Sequence, residues 1–318
     1  MKSIFSLAVP LGLLFVSCWA NQQDFHSLEK GIQSLSDGAV GFESEFNNGL
    51  KLKELQNAIN VVDRGLLGFQ GTAKKNLDRI RTLTSNSRLA YKGAEGSVFE
   101  WCVAAKGTLD LYIRQNSSSL SEKDKNALWN IVRTIVKSGL TKVSDSFKQL
   151  ESVKRQREDL VRNLQEMNRD LTFDLGPNGY LERENNHQSV NDKAWFNALS
   201  NEILVQSSLR NLTQFGNEAT HCLSQAFTHV PKVRQTQLQD KKDSYSLLDG
   251  NIKAAIQLSA TPDFKLKDNS MSNLLQDLEI NPMLLENDYA SQGRLVPLLQ
   301  TLFEKCEALT KKTLPQNA

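Results

Sequence analysis

The chain has 318 residues, long enough for one large or two ordinary domains with a sizeable core. Its 38 Lys and Arg against 36 Asp and Glu leave a formal charge of +2, too balanced for a nucleic-acid partner held by bulk electrostatics. Glycine and proline are scarce over long intervals while Leu, Lys, Glu, Gln, Asn and Ser dominate, a helical composition that disfavours a sheet-rich fold.

The first twenty residues combine basic Lys2, an apolar run from Ile4 to Val16 and small residues at Cys18 and Ala20. They read as a secretory signal peptide over 1–20, with the mature, secreted chain beginning near Asn21. The alternative of a lipoprotein box ending at Cys18 is disfavoured by the bulky Trp19 that follows it. No second apolar run approaches the roughly 18 residues of a transmembrane helix. Helical spacing then appears from Leu52 to Leu67 and from Leu77 to Ile113, the second tolerating Gly93, Gly96 and Gly107.

The longest element starts at the Ser-x-x-Asp signature of Ser121 and contains no Gly or Pro from Leu140 to Leu175. Its apolar residues Leu140, Val143, Phe147, Leu150, Val153, Leu160, Leu164, Met167 and Leu171 recur by threes and fours, with one turn skipped near Arg157. A helix of about 50 residues spans on the order of 75 Å and needs neighbours of similar length. After the break at Gly176–Gly179, helical segments resume from Arg234 to Leu258 and from Arg294 to Lys312, the last with Pro297 in its first turn. Further breaks fall at Thr261-Pro262 and Asn281-Pro282. The expected fold is all-α: an elongated bundle of four to five long helices forming one domain over 21–318, with a smaller head region inserted at about 172–232.

Enzymatic chemistry finds no support. The 4 histidines, His26, His187, His221 and His229, form no zinc-protease motif, and no nucleophile elbow, Walker loop or dinucleotide fingerprint is present. His221, Cys222 and His229 lack a zinc-site spacing. Glu182 and Glu184 flank Arg183 as a solvated charge run. No catalytic residue, metal ligand or cofactor is assigned.

A set of short motifs carries more information. Ile80 to Leu83 (IRTL), Tyr91, the VFEWC run from Val98 to Cys102, Tyr112-Ile113 and Gly139 to Lys142 (GLTK) follow one another in an order and spacing that resembles the ClyA/hemolysin E family of α-helical pore-forming toxins. The family has Tyr at the position of Phe99 and Ile at that of Leu140. Near the C-terminus, Cys306 and the following Lys311 to Thr313 (KKT) resemble the family's second cysteine and basic segment. The resemblance covers Phe69 to Glu166 well and Leu295 to Leu314 moderately. It implies a disulfide between Cys102 and Cys306, in an oxidising destination that the leader permits, with Trp101 in the core covering the bridge. Two unrelated buried thiols are the alternative. Closing such a loop would stabilise by about 4–5 kcal/mol in the chain-entropy model. Cys222 is left over, either buried or open to intermolecular pairing.

The resemblance further implies two membrane-seeking elements, an amphipathic N-terminal helix over Gly41 to Phe69 and an apolar tongue in the head. Here the tongue departs from the family. Between Ala194 and Val230 the only Asp, Glu, Lys or Arg residues are Glu202, Arg210 and Glu218, yet Asn, Gln, Ser and Thr interrupt the segment every two or three residues. Such groups are costly in hydrocarbon. A polar-faced amphipathic helix packed on the head is the alternative. If the tongue works, Trp195, Phe196, Ile203, Leu204, Val205 and Leu209 are its membrane-contact candidates, hidden against the bundle until a bilayer is met. Two functions remain open. One is a secreted toxin, or a component of a multi-component cytolysin, whose partners are a membrane surface, another toxin component or further copies of itself on the membrane. The other is a non-lytic secreted effector or immune-modulating binding protein on the same scaffold. The sequons at Asn116 and Asn211 are glycosylation candidates and favour the second, because a glycan on Asn211 would block insertion.

Overall fold

The computed structural model describes residues 26, 28–116, 120–210, 212–264 and 289–311. Every regular element within that set is helical. Helix α1 (28–40) passes through a π-helical turn, Gly41–Glu45, into α2, Phe46–Leu50. Then come α3, Leu52–Gly65, and a 3-10 turn, Thr72–Asn76. Five long helices carry most of the remainder: α4, Leu77–Asn116; α5, Glu122–Leu175; α6, Tyr180–Leu209; α8, Val230–Leu258; and α9, Tyr289–Lys311. The shorter α7, Thr213–Phe227, lies between α6 and α8 in the chain. The all-α class and its long helices agree with the expectation from periodicity.

Helix α5 shows how local sequence sets an element's length. At its start, Ser121 Oγ accepts the Asp124 backbone N–H at 3.2 Å, while the Ser121 hydroxyl donates to the Asp124 carboxylate at 2.6 Å. This reciprocal cap satisfies a donor that the first turn would otherwise leave open. The helix then runs for 54 residues, about 81 Å at 1.5 Å per residue. It stops where Asn178 takes a left-handed φ of 59° and the Gly176 and Gly179 amides close tight turns onto Phe173 and Gly176. The expected seam is buried at Leu140, Val143, Leu150, Val153, Leu160, Leu164, Met167 and Leu171. The turn read as skipped is filled: Arg157 is fully buried in register with that seam.

The chain packs as two compact units. Of the described residues, those within 26–52, 85–156 and 261–311 make up one; the other comprises those within Lys53–Thr84 and Arg157–Ala260. The first, the stapled unit, is closed by a disulfide between Cys102 on α4 and Cys306 on α9, with Cα atoms 4.9 Å apart. The implied pairing is therefore present, within ordinary disulfide reach. Trp101 lies next to it in sequence, but its ring lies against Gly139 of α5, where no side chain intervenes. The indole N–H donates to the Ile135 carbonyl at 3.1 Å. The small residue at Gly139 thus admits the bulky one at Trp101, and the core around them gains a satisfied donor. A chain of edge-to-face rings, with Phe46 packed on Phe42, Phe147 and Phe264, fills the same unit farther along.

The second, the hairpin unit, buries Leu55, Ile59 and Val62 of α3 against Leu160, Leu164, Met167 and Leu171 of α5 and Leu248, Ile252 and Ala255 of α8. Its polar interior is specific. Asp174 is fully buried and accepts from Thr72 Oγ1 at 2.9 Å and from the Ala73 backbone N–H at 3.0 Å, which fixes the entry to α4. Arg157 donates to the Leu258 carbonyl at 3.1 Å, placing a cation at the C-terminal end of α8, where the helix dipole favours it. Burial pushes that guanidinium down to about 10.

Two boundaries differ from expectation. The N-terminal amphipathic helix is not continuous over Gly41 to Phe69: Lys51 adopts a left-handed conformation at φ 47°, and α3 ends at Gly65. That conformation is unfavourable for a residue with a Cβ. It lets Leu50 join the core of the stapled unit while Leu55 joins that of the hairpin unit. The last helix begins at Tyr289, so Pro297 is interior rather than in the first turn. Gly293 stands four residues before it, where a proline ring would crowd the carbonyl. The Asn281-Pro282 break lies outside the described residues.

Candidate membrane-contact site

Between Ala194 and Val230 the chain forms an antiparallel pair of helices, α6 ending at Leu209 and α7 running from Thr213 to Phe227. Two contacts hold the pair together. Phe196 and Phe227 stack with ring centroids 4.6 Å apart. Near the turn, Gly216 of α7 sits against the Ser207 side chain, with no room for a Cβ. The turn closes when the Leu212 N–H donates to the Ser207 carbonyl at 2.8 Å. Helix α8 is clamped onto α6 by charge: Arg234 pairs with Asp192 and donates to Gln188 Oε1 at 2.9 Å, and Lys242 pairs with Glu182 at 2.8 Å. The hydrogen bond from Lys242, followed by that from the Asn178 backbone N–H, holds the Glu182 carboxyl below the ordinary carboxylate range.

The arrangement corrects one expectation outright. The tongue's apolar side chains are not hidden: Trp195 is 61 % exposed, Leu204 37 %, Val205 56 % and Leu209 75 %. Only Phe196 and Ile203 are partly covered. The physical reason is width. A two-helix hairpin buries one narrow stripe, here Phe196, Ser207, Gly216 and Phe227, and leaves the remaining faces to solvent.

Sequence reasoning missed two residues at the same place. Leu212 is 51 % and Phe215 66 % exposed, just past the turn. Together with Val205 and Leu209, which are i,i+4 on α6, they give the reversal an apolar tip on both sides, Leu212 just before α7 and Phe215 in its first turn. The available signal was their position on either side of Thr213, Leu212 within the Asn211 sequon and Phe215 two residues after it. The nearest carboxylates are engaged by glutamine amides one turn away: Gln206 donates to Glu202 at 3.1 Å and Gln214 to Glu218 at 3.2 Å. Arg210 is thus the single charged residue between Ile203 and Asn217. Among the described residues, no helix is long and apolar enough to cross a membrane, and no group of three His, Cys, Asp or Glu residues could hold a metal ion. Cys222 is an exposed free thiol on α7. Asn211 lies outside the described residues, as does the side chain of Asn116.

The family model for Haemolysin E (HlyE) matches residues 20–208, which include the VFEWC run, the GLTK run and all but the last residue of α6. The segment around Cys306 lies beyond that match. No curated protein shows significant similarity to the sequence. Among solved structures, the SmhB pore of the tripartite alpha-pore forming toxin Smh from Serratia marcescens is similar over 89 % of this chain and 98 % of its own, at 10 % identity and a TM-score of 0.41.

Proposed function

The chain belongs to the haemolysin E family, and on that premise we propose that it is a secreted toxin protein that acts by binding a lipid surface and oligomerising there, alone or as one component of a multi-component cytolysin. The observation that carries this reading is the apolar tip of the α6–α7 hairpin, where Val205, Leu209, Leu212 and Phe215 stand in water beside a single charge. A soluble protein gains nothing from such a patch unless something covers it. The leader over 1–20 and the disulfide between Cys102 and Cys306 support an oxidising, extracellular destination. In this reading first contact needs no unmasking of the tip, and the later step releases the N-terminal segment as far as Phe69. The interruption at Lys51 provides the point at which that release starts.

The test is leakage and binding on vesicles. Burying the exposed apolar side chains of the hairpin offers on the order of 10 kcal/mol of gross transfer energy, opposed by interspersed polar groups and by charges worth about 2.5–3.5 kcal/mol each at a bilayer centre. The protein alone is expected to bind vesicles while releasing little trapped dye, and Leu209→Asp is expected to weaken the binding. A wild-type protein that neither binds nor permeabilises vesicles, even with candidate partner proteins added, sinks the toxin reading.

One observation favours the non-lytic effector as a second reading: Asn, Gln, Ser and Thr interrupt the segment from Ala194 to Val230 every two or three residues, and such groups are costly in hydrocarbon. Glycans on Asn116 and Asn211 would strengthen it, and mass analysis of the secreted protein decides whether they are attached.

A further inference from the structure

Resting on the membrane reading above, we propose that the α6–α7 tip is a shallow anchor, seated in the interface of one leaflet of electrically neutral, zwitterionic phospholipid, and not a segment that crosses the bilayer.

Depth comes first. From Glu202 to the reversal at Arg210 the α6 backbone rises about 12 Å, and Glu218 bounds the α7 side in the same way. The charge-poor tip therefore reaches less than half of the roughly 30 Å hydrocarbon core. Arg210, exposed at the apex, makes end-on insertion unfavourable, because a guanidinium would lead the way into hydrocarbon. If the tip instead lies at the boundary between headgroups and acyl chains, Val205, Leu209, Leu212 and Phe215 enter the acyl edge. Arg210 then stays at the level of the lipid phosphates, which its planar fork fits.

Charge comes second. Across Ala194 to Val230 the charged residues are Glu202, Arg210 and Glu218, a net charge of −1. Three cations of α8 are engaged at the base of α6, Arg234 by Asp192, Lys242 by Glu182 and Lys241 by Glu184. The flanking Lys193 and Lys232 stand at that base, separated from Arg210 by the second half of α6 and by the whole of α7 respectively. The polybasic cluster that recognises anionic leaflets is absent from the tip, so phosphatidylserine supplies no extra attraction. A phosphodiester paired with a choline cation meets the lone arginine without repelling the two glutamates.

The two elements of this proposal have separate readouts on the full-length protein. Binding to phosphatidylcholine vesicles is compared with binding to vesicles doped with phosphatidylserine, at low and high salt. The affinities are expected to agree within about twofold and to change little with salt. Leu209→Ser and Phe215→Ser are each expected to weaken binding roughly tenfold, since each removes a buried apolar side chain. Because both residues are exposed in the soluble protein, circular dichroism should show these variants folded.

Depth is read by indole quenching. Trp101 and Trp129 are buried, and Trp195 is exposed about 21 Å along α6 from Leu209. On vesicles, Trp195 is expected to remain open to aqueous iodide. A Phe215→Trp reporter in a Trp195→Phe background should be protected from iodide and quenched by lipids brominated near the headgroup. Protection of Trp195 on vesicles would overturn the shallow anchor, and binding that needs phosphatidylserine and falls with salt would overturn the neutral-lipid assignment. Both outcomes leave the membrane reading standing. Absence of binding to every vesicle would overturn the anchor and the membrane reading together.

Discussion

Trp101 and Trp195 are indoles of one chain treated in opposite ways. Trp101 is buried in the stapled unit, its ring pressed on Gly139 and its N–H satisfied by the Ile135 carbonyl. Trp195 belongs to the hairpin unit and stands mostly in solvent, in company with Val205, Leu209, Leu212 and Phe215. The first unit uses its large apolar side chains for stability, and a covalent bridge secures the same helix one residue later. The second holds its hairpin together with small contacts, a ring stack and peripheral ion pairs, and leaves apolar surface available to another phase. Stability and interaction capacity are thus assigned to different residues, so substitutions can separate them.

The largest expected effect tests the stapled side. Replacing both bridge cysteines, Cys102→Ala with Cys306→Ala, removes a crosslink closing a 204-residue separation. In the chain-entropy model it should lower the unfolding free energy by about 5 kcal/mol, measured by urea denaturation. A loss under about 1 kcal/mol would mean that the bridge adds nothing to packing already complete without it. Next comes Gly139→Val, which forces side-chain atoms into the Trp101 ring and should cost about 1–3 kcal/mol, with a shift in tryptophan fluorescence. In the hairpin unit, Asp174→Ala leaves the Ala73 amide without its acceptor and should cost about 1–3 kcal/mol by the same assay. An effect of that size would show that the base of this unit is as exacting as the stapled core and would confine the contrast to the hairpin itself.

A smaller effect depends on pH. The Glu182 carboxyl sits below its ordinary range in the folded state because Lys242 and the Asn178 amide donate to it. Its stabilisation is therefore fully present above the ordinary carboxylate pKa and is lost as pH falls through the lowered folded value. Glu182→Gln should flatten the acid limb of the stability profile and leave the alkaline limb unchanged. Smallest of all, Leu209→Ser combined with Phe215→Ser should alter stability by no more than about 0.5 kcal/mol, because neither residue is buried. A large loss there would dissolve the comparison, since the tip would then be part of a core.

Much of this architecture was legible because helices declare themselves by period. The α5 seam, its cap at Ser121 and its stop at Gly176–Gly179 follow from spacing and turn chemistry that act within a few residues. The bridge was legible only through the resemblance, since cysteines 204 positions apart carry no local signal. Arg157 was misread as a gap because periodicity counts apolar residues. A guanidinium can occupy a seam position when a carbonyl such as that of Leu258 is there to accept. The break at Lys51 escaped notice although Asn47-Asn48-Gly49 stands just before it, because Gly49 itself stays within α2 and the left-handed residue is Lys51. The break goes with Leu50 and Leu55 being buried in different cores, which is a tertiary fact. The exposure of Trp195 and Leu209 was also out of reach, as a charge-poor segment looks the same whether its apolar groups are covered or bare.

The bridge also changes what a cut in the backbone does. Residues 103–305 form a covalent ring with it, and the whole of α5, α6, α7 and α8 lies inside that ring. A protease that nicks the reversal at Arg210, the bare end of the hairpin, opens the ring without releasing either piece. The nicked protein should migrate as one species until a reductant is added and then separate into two, so an intact band on a non-reducing gel does not mean an uncut chain.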